Sequence, residues 1–357
     1  MRRVPFLDLA ARHAEAAAAV EARVLDVLRS GRWIGGPVVA EAEALAAAQL
    51  GRAAAVGVAS GTDALMLALQ ALDVGPGDEV VVPALTFFAT AGAVRAVGAE
   101  VVVADVGEDA LLDEASAAAV CGPRTRAVIP VHLFGSVAAR PALDVPVLDD
   151  AAQAVGAEPA PGVGALTALS AYPTKTWGAA GDGGFVAGDD PALLERVRAL
   201  ANHGAVEAHL HHPVGRHVGR ASRLDAVGAA VLVGHHAVLA ERVARRRALA
   251  ARYDAGLPAP LRPLARTAGS AVQQYCVRVP APARDAVRAG LAERGVETAV
   301  YYPRPLQRQP ALAGCRAAPT PVADALCAEL LALPIHDCGA DAVDVVLDAL
   351  HAAVTAC

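Results

Sequence analysis

Short valine-rich runs alternate with longer alanine- and leucine-rich stretches along the first half of the chain. AAAVGVAS (53–60), EVVVPAL (79–85), EVVVADV (100–106) and AVIPVHLFG (127–135) have the length and β-branched content of buried strands. Between them, TDALMLALQAL (62–72) and TAGAVRAVG (90–98) repeat their apolar positions at helical spacing, and the alternation continues into VPVLDDAAQAVG (145–156). Strands alternating with helices predict an α/β fold with a mostly parallel sheet covered on both faces. Ligands of such sheets bind beyond the carboxyl ends of the strands, so the residues that follow each run are the ones to inspect.

From about residue 236 the pattern changes. ARRRALAARYDAGL reads as a long helix leading into the proline-rich LPAPLRPLART, and QQYCVRVP as a strand. RDAVRAGLAERG (284–295) reads as a helix, YYPRPLQRQP (301–310) as a loop, and residues 341–354 as a last helix. The expected organisation is a large domain over 1–240 and a smaller C-terminal one over 241–357.

At 357 residues, 55% hydrophobic and 19% charged, the chain can bury a large core. No window supplies the roughly 18 uninterrupted apolar residues of a membrane span. The opening MRRVPFLDLAARHAEA places Asp8, Arg12 and His13 where a signal peptide needs an apolar run, so a cytoplasmic protein without a membrane partner is expected. A net charge of -6 disfavours nucleic acid, whose phosphates need a basic face. The six cysteines, Cys121, Cys276, Cys315, Cys327, Cys338 and Cys357, form no CxxC pair, and HLHHP (209–213), with His209, His211 and His212, lacks a local carboxylate or cysteine, so no metal site is expected.

Of the 31 basic side chains, one is a lysine, Lys175. Arginine stays protonated and cannot form an imine, whereas a desolvated lysine amine can lose its proton and attack an aldehyde. Lys175 lies in Ser170-Ala-Tyr-Pro-Thr-Lys-Thr-Trp-Gly-Ala-Ala-Gly-Asp-Gly-Gly-Phe-Val186, where an apolar strand enters a glycine-rich turn and then a second strand. Glycine there lets backbone and a bulky ligand approach closely.

Three other strand ends carry candidate chemistry. Ser60-Gly61-Thr62-Asp63 joins a strand to a helix, and its N–H groups and hydroxyls make either a phosphate cradle or a plain capping turn. Leu148-Asp149-Asp150 ends another strand; Asp150 is the candidate to pair with a pyridinium nitrogen, while either acid serves equally as a cap for a following helix. Phe87, in Thr86-Phe87-Phe88, offers either a ring-stacking face or a core side chain.

Taken together the stretches resemble the DegT/DnrJ/StrS family of sugar aminotransferases over nearly the whole chain. The resemblance runs through PFLDL (5–9), SGRWIGGP (30–37), SGTDAL (60–65), PALTFFATA (83–91), PVHLFG (130–135), LDDAAQAVGA (148–157) and YPTKTWGAAGDGG (172–184). It continues with NHG (202–204), SRLD (222–225), TAVYYPRPL (298–306) and LALPIH (331–336). It implies the fold type I architecture of pyridoxal-phosphate enzymes, with a mostly parallel seven-stranded sheet, helices on both faces and a smaller C-terminal α/β domain. By the same resemblance Lys175 holds pyridoxal 5'-phosphate as a Schiff base, alternating with the pyridoxamine form. Asp150 meets the ring nitrogen, Gln153 the ring hydroxyl side, Phe87 the ring face, and Gly61, Thr62 and Ser170 the phosphate. Trp33, Tyr301 and Tyr302 become candidate substrate residues, and a homodimer with shared active sites is implied.

The implied reaction moves an amino group from L-glutamate or L-glutamine to a keto-sugar in amino-sugar or antibiotic biosynthesis. The SRLD stretch favours a dTDP-3-keto-6-deoxyhexose; a 4-keto nucleotide-sugar or a keto-cyclitol are alternatives, and a non-catalytic cofactor-binding regulator is the alternative from another class. Two stretches depart from the family pattern. Where members read G-Y-N-S-R-L-D-E-L-Q-A-A, with the Asn reaching the phosphate of the partner subunit, this chain has Gly219-Arg-Ala-Ser-Arg-Leu-Asp225, so Arg220 or Ser222 is expected to compensate for Ala221. The usual H-Y-P-x-P-L-H is Tyr301-Tyr-Pro-Arg-Pro-Leu-Gln307, which replaces two histidines near the sugar and points to an unusual substrate.

Overall fold

The computed structural model describes residues 3–207, 209–335 and 339–356, so His336 of LALPIH, Cys338 and Cys357 lie outside the described residues. The first half builds strands β1 (Ala54–Val58), β2 (Glu79–Pro83), β3 (Glu100–Ala104), β4 (Thr125–Val128), β5 (Leu148–Asp150), β6 (Leu166–Ser170) and β7 (Gly184–Gly188). They form two four-stranded sheets, β1-β7-β6-β5 and the short strand Arg316–Ala317 followed by β3-β2-β4. Neighbours run parallel except at β1/β7 and β7/β6. One seven-stranded sheet was expected. The regular ladder instead stops between β4 and β5, which touch only through isolated parallel bridges at Val128–Val147 and Val131–Asp150.

Helices cover both faces because successive strand residues point to opposite sides. On β7, Val186 joins a core with Leu67, Ala68 and Leu200, while Phe185 and Ala187 join a second core with Ala46, Trp177 and Ala229. Helix Gly61–Ala71, capped by the Ser60 hydroxyl, is buried from Ala64 to Ala71 apart from half-buried Met66, which explains its apolar sequence.

The C-terminal part packs Tyr275–Arg278 between Arg262–Pro263 and Leu330–Leu333, all antiparallel, under helices Arg284–Glu293 and Ala340–Thr355. The boundary expected at 240/241 falls inside helix Leu239–Gly256: Leu239 and Val243 pack on the core of the first half, Leu249 and Tyr253 on that of the second. The N-terminus reaches across as well, since Val4 bridges to Val296. Among the described residues no single helix is long and apolar enough to cross a membrane; Ala226–His236 and Leu239–Gly256 pass such a test only jointly and are bent by 59°.

Candidate active site

The carboxyl ends of β1, β5 and β6 and the segment after β2 converge on one cavity of about 470 Å³. Gly61, Thr62, Phe87, Asp150, Gln153, Ser170, Lys175, Tyr301 and Tyr302 all line it. Trp33 does not: it is exposed on the surface, held through its carbonyl by the Ala226 N–H.

Lys175 sits in the loop between β6 and β7. The Ala171 N–H bonds to the Gly183 carbonyl and the Ala179 N–H to the Ala171 carbonyl, which closes the loop on itself. A Cβ on Gly178 would come within 2.7 Å of the Tyr172 and Pro173 carbonyls, so the fold of this loop requires glycine there. Burial pushes the Lys175 ammonium below the ordinary lysine range, against the opposing pull of the Asp150 carboxylate.

The two acids at the end of β5 have separate roles because they face opposite sides of the strand. Asp149, fully buried, accepts through Oδ2 from the Val163 and Gly164 N–H groups and the Thr167 hydroxyl, and so fixes the turn before β6. Asp150 faces the cavity. Its Oδ2 accepts from the Thr90 hydroxyl at 2.8 Å and its Oδ1 from the Ala152 N–H at 3.2 Å. No helix follows within 151–157, so the capping alternative falls away. Burial raises the Asp150 pKa, while those two hydrogen bonds and the charges of Lys175 and His132 hold it down.

Opposite, the first N–H groups of helix Gly61–Ala71 border the cavity, and a helix N-terminus favours an anion. A Cβ on Gly61 would lie 2.5 Å from the Ser170 Cβ, so glycine is what lets this turn close against β6. Gln153 accepts from the Phe134 N–H at 2.7 Å and donates to the Tyr302 hydroxyl at 3.4 Å. Tyr302, whose phenol is pushed above its usual range by burial, lies 6.2 Å from the Phe87 ring. The cavity thus gathers an amine able to be neutral, a buried carboxylate, an anion-binding turn and two aromatic walls.

The sequence pattern of the DegT/DnrJ/EryC1/StrS aminotransferase family matches residues 15–351. The chain belongs to this family. It is 41% identical to the dTDP-3-amino-3,4,6-trideoxy-alpha-D-glucose transaminase of Streptomyces venezuelae over 93% of this chain and 91% of that one. It is 36% identical to the UDP-2-acetamido-2-deoxy-3-oxo-D-glucuronate aminotransferase of Pseudomonas aeruginosa, over 93% and 95%. Its fold matches S. venezuelae DesV, solved in complex with a ketimine intermediate, with a TM-score of 0.90, 38% identity and coverage of 99% and 98%. The DegT/DnrJ/EryC1/StrS aminotransferases therefore share this chain's fold type I architecture.

Within that family architecture the structure adds residues to the site. Thr90 lies in the quoted TFFATA stretch, but nothing local marks it as the partner of Asp150. Gln274 and Asp182 also line the cavity. Gln274 lies in QQYCVRVP, in the bend just before the strand Tyr275–Arg278, and has no chemical signature until that strand is docked. Arg220 and Ser222, expected to compensate for Ala221 at the partner subunit's phosphate, are not among the residues lining their own chain's cavity. Within this chain both hold Asp63, Arg220 Nη2 at 2.8 Å and Ser222 Oγ at 2.7 Å. Asp63 stands in the first turn of the cradle helix and attracts the nearest donors.

Proposed function

We propose that this enzyme carries pyridoxal 5'-phosphate on Lys175 and transfers an amino group from L-glutamate or L-glutamine to the keto group of a nucleotide-linked 6-deoxysugar. The convergence of the chain's one lysine, a buried carboxylate and a helix N-terminus on one cavity carries this reading. The residues fit the cofactor: Gly61, Thr62 and Ser170 for the phosphate, Asp150 for the ring nitrogen, Gln153 for the ring hydroxyl side and Phe87 for the ring face.

When bound, pyridoxal phosphate supplies an aldehyde for amines to attack and a protonated ring that draws electrons from the amino acid's α carbon. Lys175 holds the group until the donor's amine displaces it. Because burial disfavours its ammonium form, the freed Nζ would be a neutral base able to take the proton from the donor's α carbon and to give it back later in the transfer. In the second half, with a keto-sugar in place of the keto acid, the same nitrogen carries the proton in reverse. Asp150, held by Thr90 and Ala152, supplies the negative charge that keeps the ring protonated. Phe87 and Tyr302 flank the reacting region and limit access of water.

A dTDP-3-keto-6-deoxyhexose, within amino-sugar or antibiotic biosynthesis, is the first-choice acceptor. Both relatives named above carry C3 in their names, one as a 3-amino and one as a 3-oxo sugar. The test is the visible spectrum of the pyridoxamine-loaded protein incubated with 3-keto nucleotide-sugars, 4-keto nucleotide-sugars and keto-cyclitols. Return of the yellow band with the first class alone supports the choice, and return with another class replaces it. A band that ignores every amino donor would turn the reading to a cofactor-binding regulator.

A homodimer with shared sites also belongs to this reading. Leu25, Leu28, Trp33 and Ile34 are exposed, and an apolar groove of about 690 Å³ lined by Leu9, Val24, Leu25 and Val231 is walled by Gly178 and Ala179 of the Lys175 loop. Trp33 would then serve the partner's site. Leu25→Asp should convert a dimer to monomers on sizing and lower cofactor retention. We further assign residues 1–240 to a large cofactor-binding domain and 241–357 to a small one. The free state of Cys121, Cys276, Cys315 and Cys327 suits a reducing, cytoplasmic setting.

A further inference from the structure

We propose that Gln273 is a positioning residue that clamps the backbone on both sides of Lys175, an inference that rests on the role given to Lys175 above. Its Oε1 accepts from the Thr176 N–H at 2.7 Å and from the Thr176 hydroxyl, and its Nε2 donates to the Thr174 carbonyl at 3.0 Å. One buried carboxamide therefore satisfies the residue before and the residue after the lysine, from 97 to 99 positions away along the chain. A carboxamide suits the task because it offers an acceptor and a donor side by side and does not titrate.

The clamp is itself anchored. The Gln273 N–H donates to the Phe134 carbonyl at 2.9 Å, the Ala271 N–H donates to the Gly135 carbonyl, and Arg246 Nη1 donates to the Gln273 carbonyl at 3.0 Å. A Cβ on Gly135 would meet the Val272 nitrogen at 2.6 Å, and Val272 holds a left-handed φ of +48°, a conformation costly for a β-branched residue. Phe134 in turn donates its N–H to Gln153 on the cavity wall. A continuous hydrogen-bonded path thus joins Gln153, Phe134, Gln273 and the Lys175 loop.

The Lys175 segment is neither helix nor strand: its backbone is held by the Lys175 N–H on the Tyr172 carbonyl at 2.9 Å, by Arg12 on the Pro173 and Thr176 carbonyls, and by Gln273, which reaches the residues immediately before and after the lysine with one side chain. A nitrogen that must bond one carbon and move a proton between two loses rate steeply with small displacements, on the order of a hundredfold for about 1 Å. Gln274, next in sequence in the bend that precedes the strand Tyr275–Arg278, lines the cavity, so one short segment both clamps the lysine and lines the substrate space.

The test compares wild-type protein with Q273A, Q273L and Q273E. In cofactor-free protein, hydrogen exchange of the peptide spanning 171–179 should speed up in Q273A and Q273L, while peptides of helix Pro37–Leu50 do not change. In the loaded enzymes, kcat for the glutamate half-reaction should fall about ten- to a hundredfold, with KM for glutamate within about threefold. Q273E keeps the acceptor for Thr176 and should recover part of the loss in both readouts. Unchanged exchange with unchanged kcat in Q273A, or Q273E no better than Q273L, overturns the proposal; should Q273A fail to fold, the comparison of Q273E with Q273L decides. Failure of wild-type protein to take up pyridoxal phosphate would instead sink the functional reading, and the exchange experiment would still report on the clamp.

Discussion

The Thr90 hydroxyl donates to Oδ2 of Asp150 at 2.8 Å, joining two buried side chains 60 positions apart, and Thr90 is in turn bonded to Thr86 at 3.0 Å. Hydrogen bonding favours the ionised carboxylate, whereas its burial favours the protonated acid. The balance decides whether a negative charge is ready for a ring nitrogen. Thr90→Val removes the donor at nearly constant shape. A charge-assisted hydrogen bond is worth roughly 1.5–3 kcal/mol, so cofactor affinity should weaken about ten- to a hundredfold. Equilibrium titration followed by absorbance measures it, and an affinity within twofold of wild type would exclude this role for Thr90.

Lys175→Met should abolish turnover and leave the fold intact. In cofactor-free protein it should also raise stability at neutral pH. The Lys175 pKa is lowered by burial despite Asp150, so the folded state binds its proton less tightly than the unfolded chain does. The cost of the buried cation is full below its folded pKa and fades as pH rises toward the ordinary lysine value, about 10.4. Thermal melts of both proteins from pH 6 to 10 should show a gap that closes with rising pH; a gap that widens contradicts the assignment.

Gln274 lines the cavity, and its buried side-chain oxygen has no hydrogen-bond partner among the described residues. A sugar hydroxyl can supply the missing donor. Gln274→Leu should raise KM for the keto-sugar about two- to tenfold, the range expected for one neutral hydrogen bond of about 0.5–1.5 kcal/mol, and leave the glutamate half-reaction within twofold. Equal effects on both halves would place Gln274 outside sugar recognition.

Arg220 and Ser222 hold Asp63 in the first turn of the helix that presents Gly61 and Thr62. Without Arg220 the Asp63 carboxylate would repel a phosphate at that helix N-terminus. Arg220→Ala should therefore weaken cofactor binding, more at low salt than at high, and Asp63→Asn should restore it in the double variant. Additive losses would show that Arg220 acts by another route.

Much of the site is legible before folding because its chemistry is local. Lys175 is marked by being the one lysine and by the glycines around it, Asp150 by closing a strand, and Gly61 and Thr62 by standing where a strand passes into a helix. Sheet class follows from runs such as EVVVPAL and EVVVADV, whose residues are buried on both faces. What local pattern leaves open is which of two adjacent acids faces the ligand and whether a helix follows. It also leaves open what the two glutamines just before the apolar strand Tyr275–Arg278 are for.

By itself, then, the amino-acid order determined the alternating α/β elements and marked the candidate lysine, acid and phosphate turn of the proposed site, since each depends on neighbours within a few residues. Only the tertiary structure decided that the sheet ladder breaks between β4 and β5 and that Trp33 stands outside the cavity. It also decided that Arg220 serves Asp63, that Thr90 serves Asp150, and that Gln273 brackets Lys175. The physical reason is the same in each case. Partners from 60 to 157 positions apart meet only when packing sets the register of separate elements, and a hydrogen bond depends on that register to within a few tenths of an ångström.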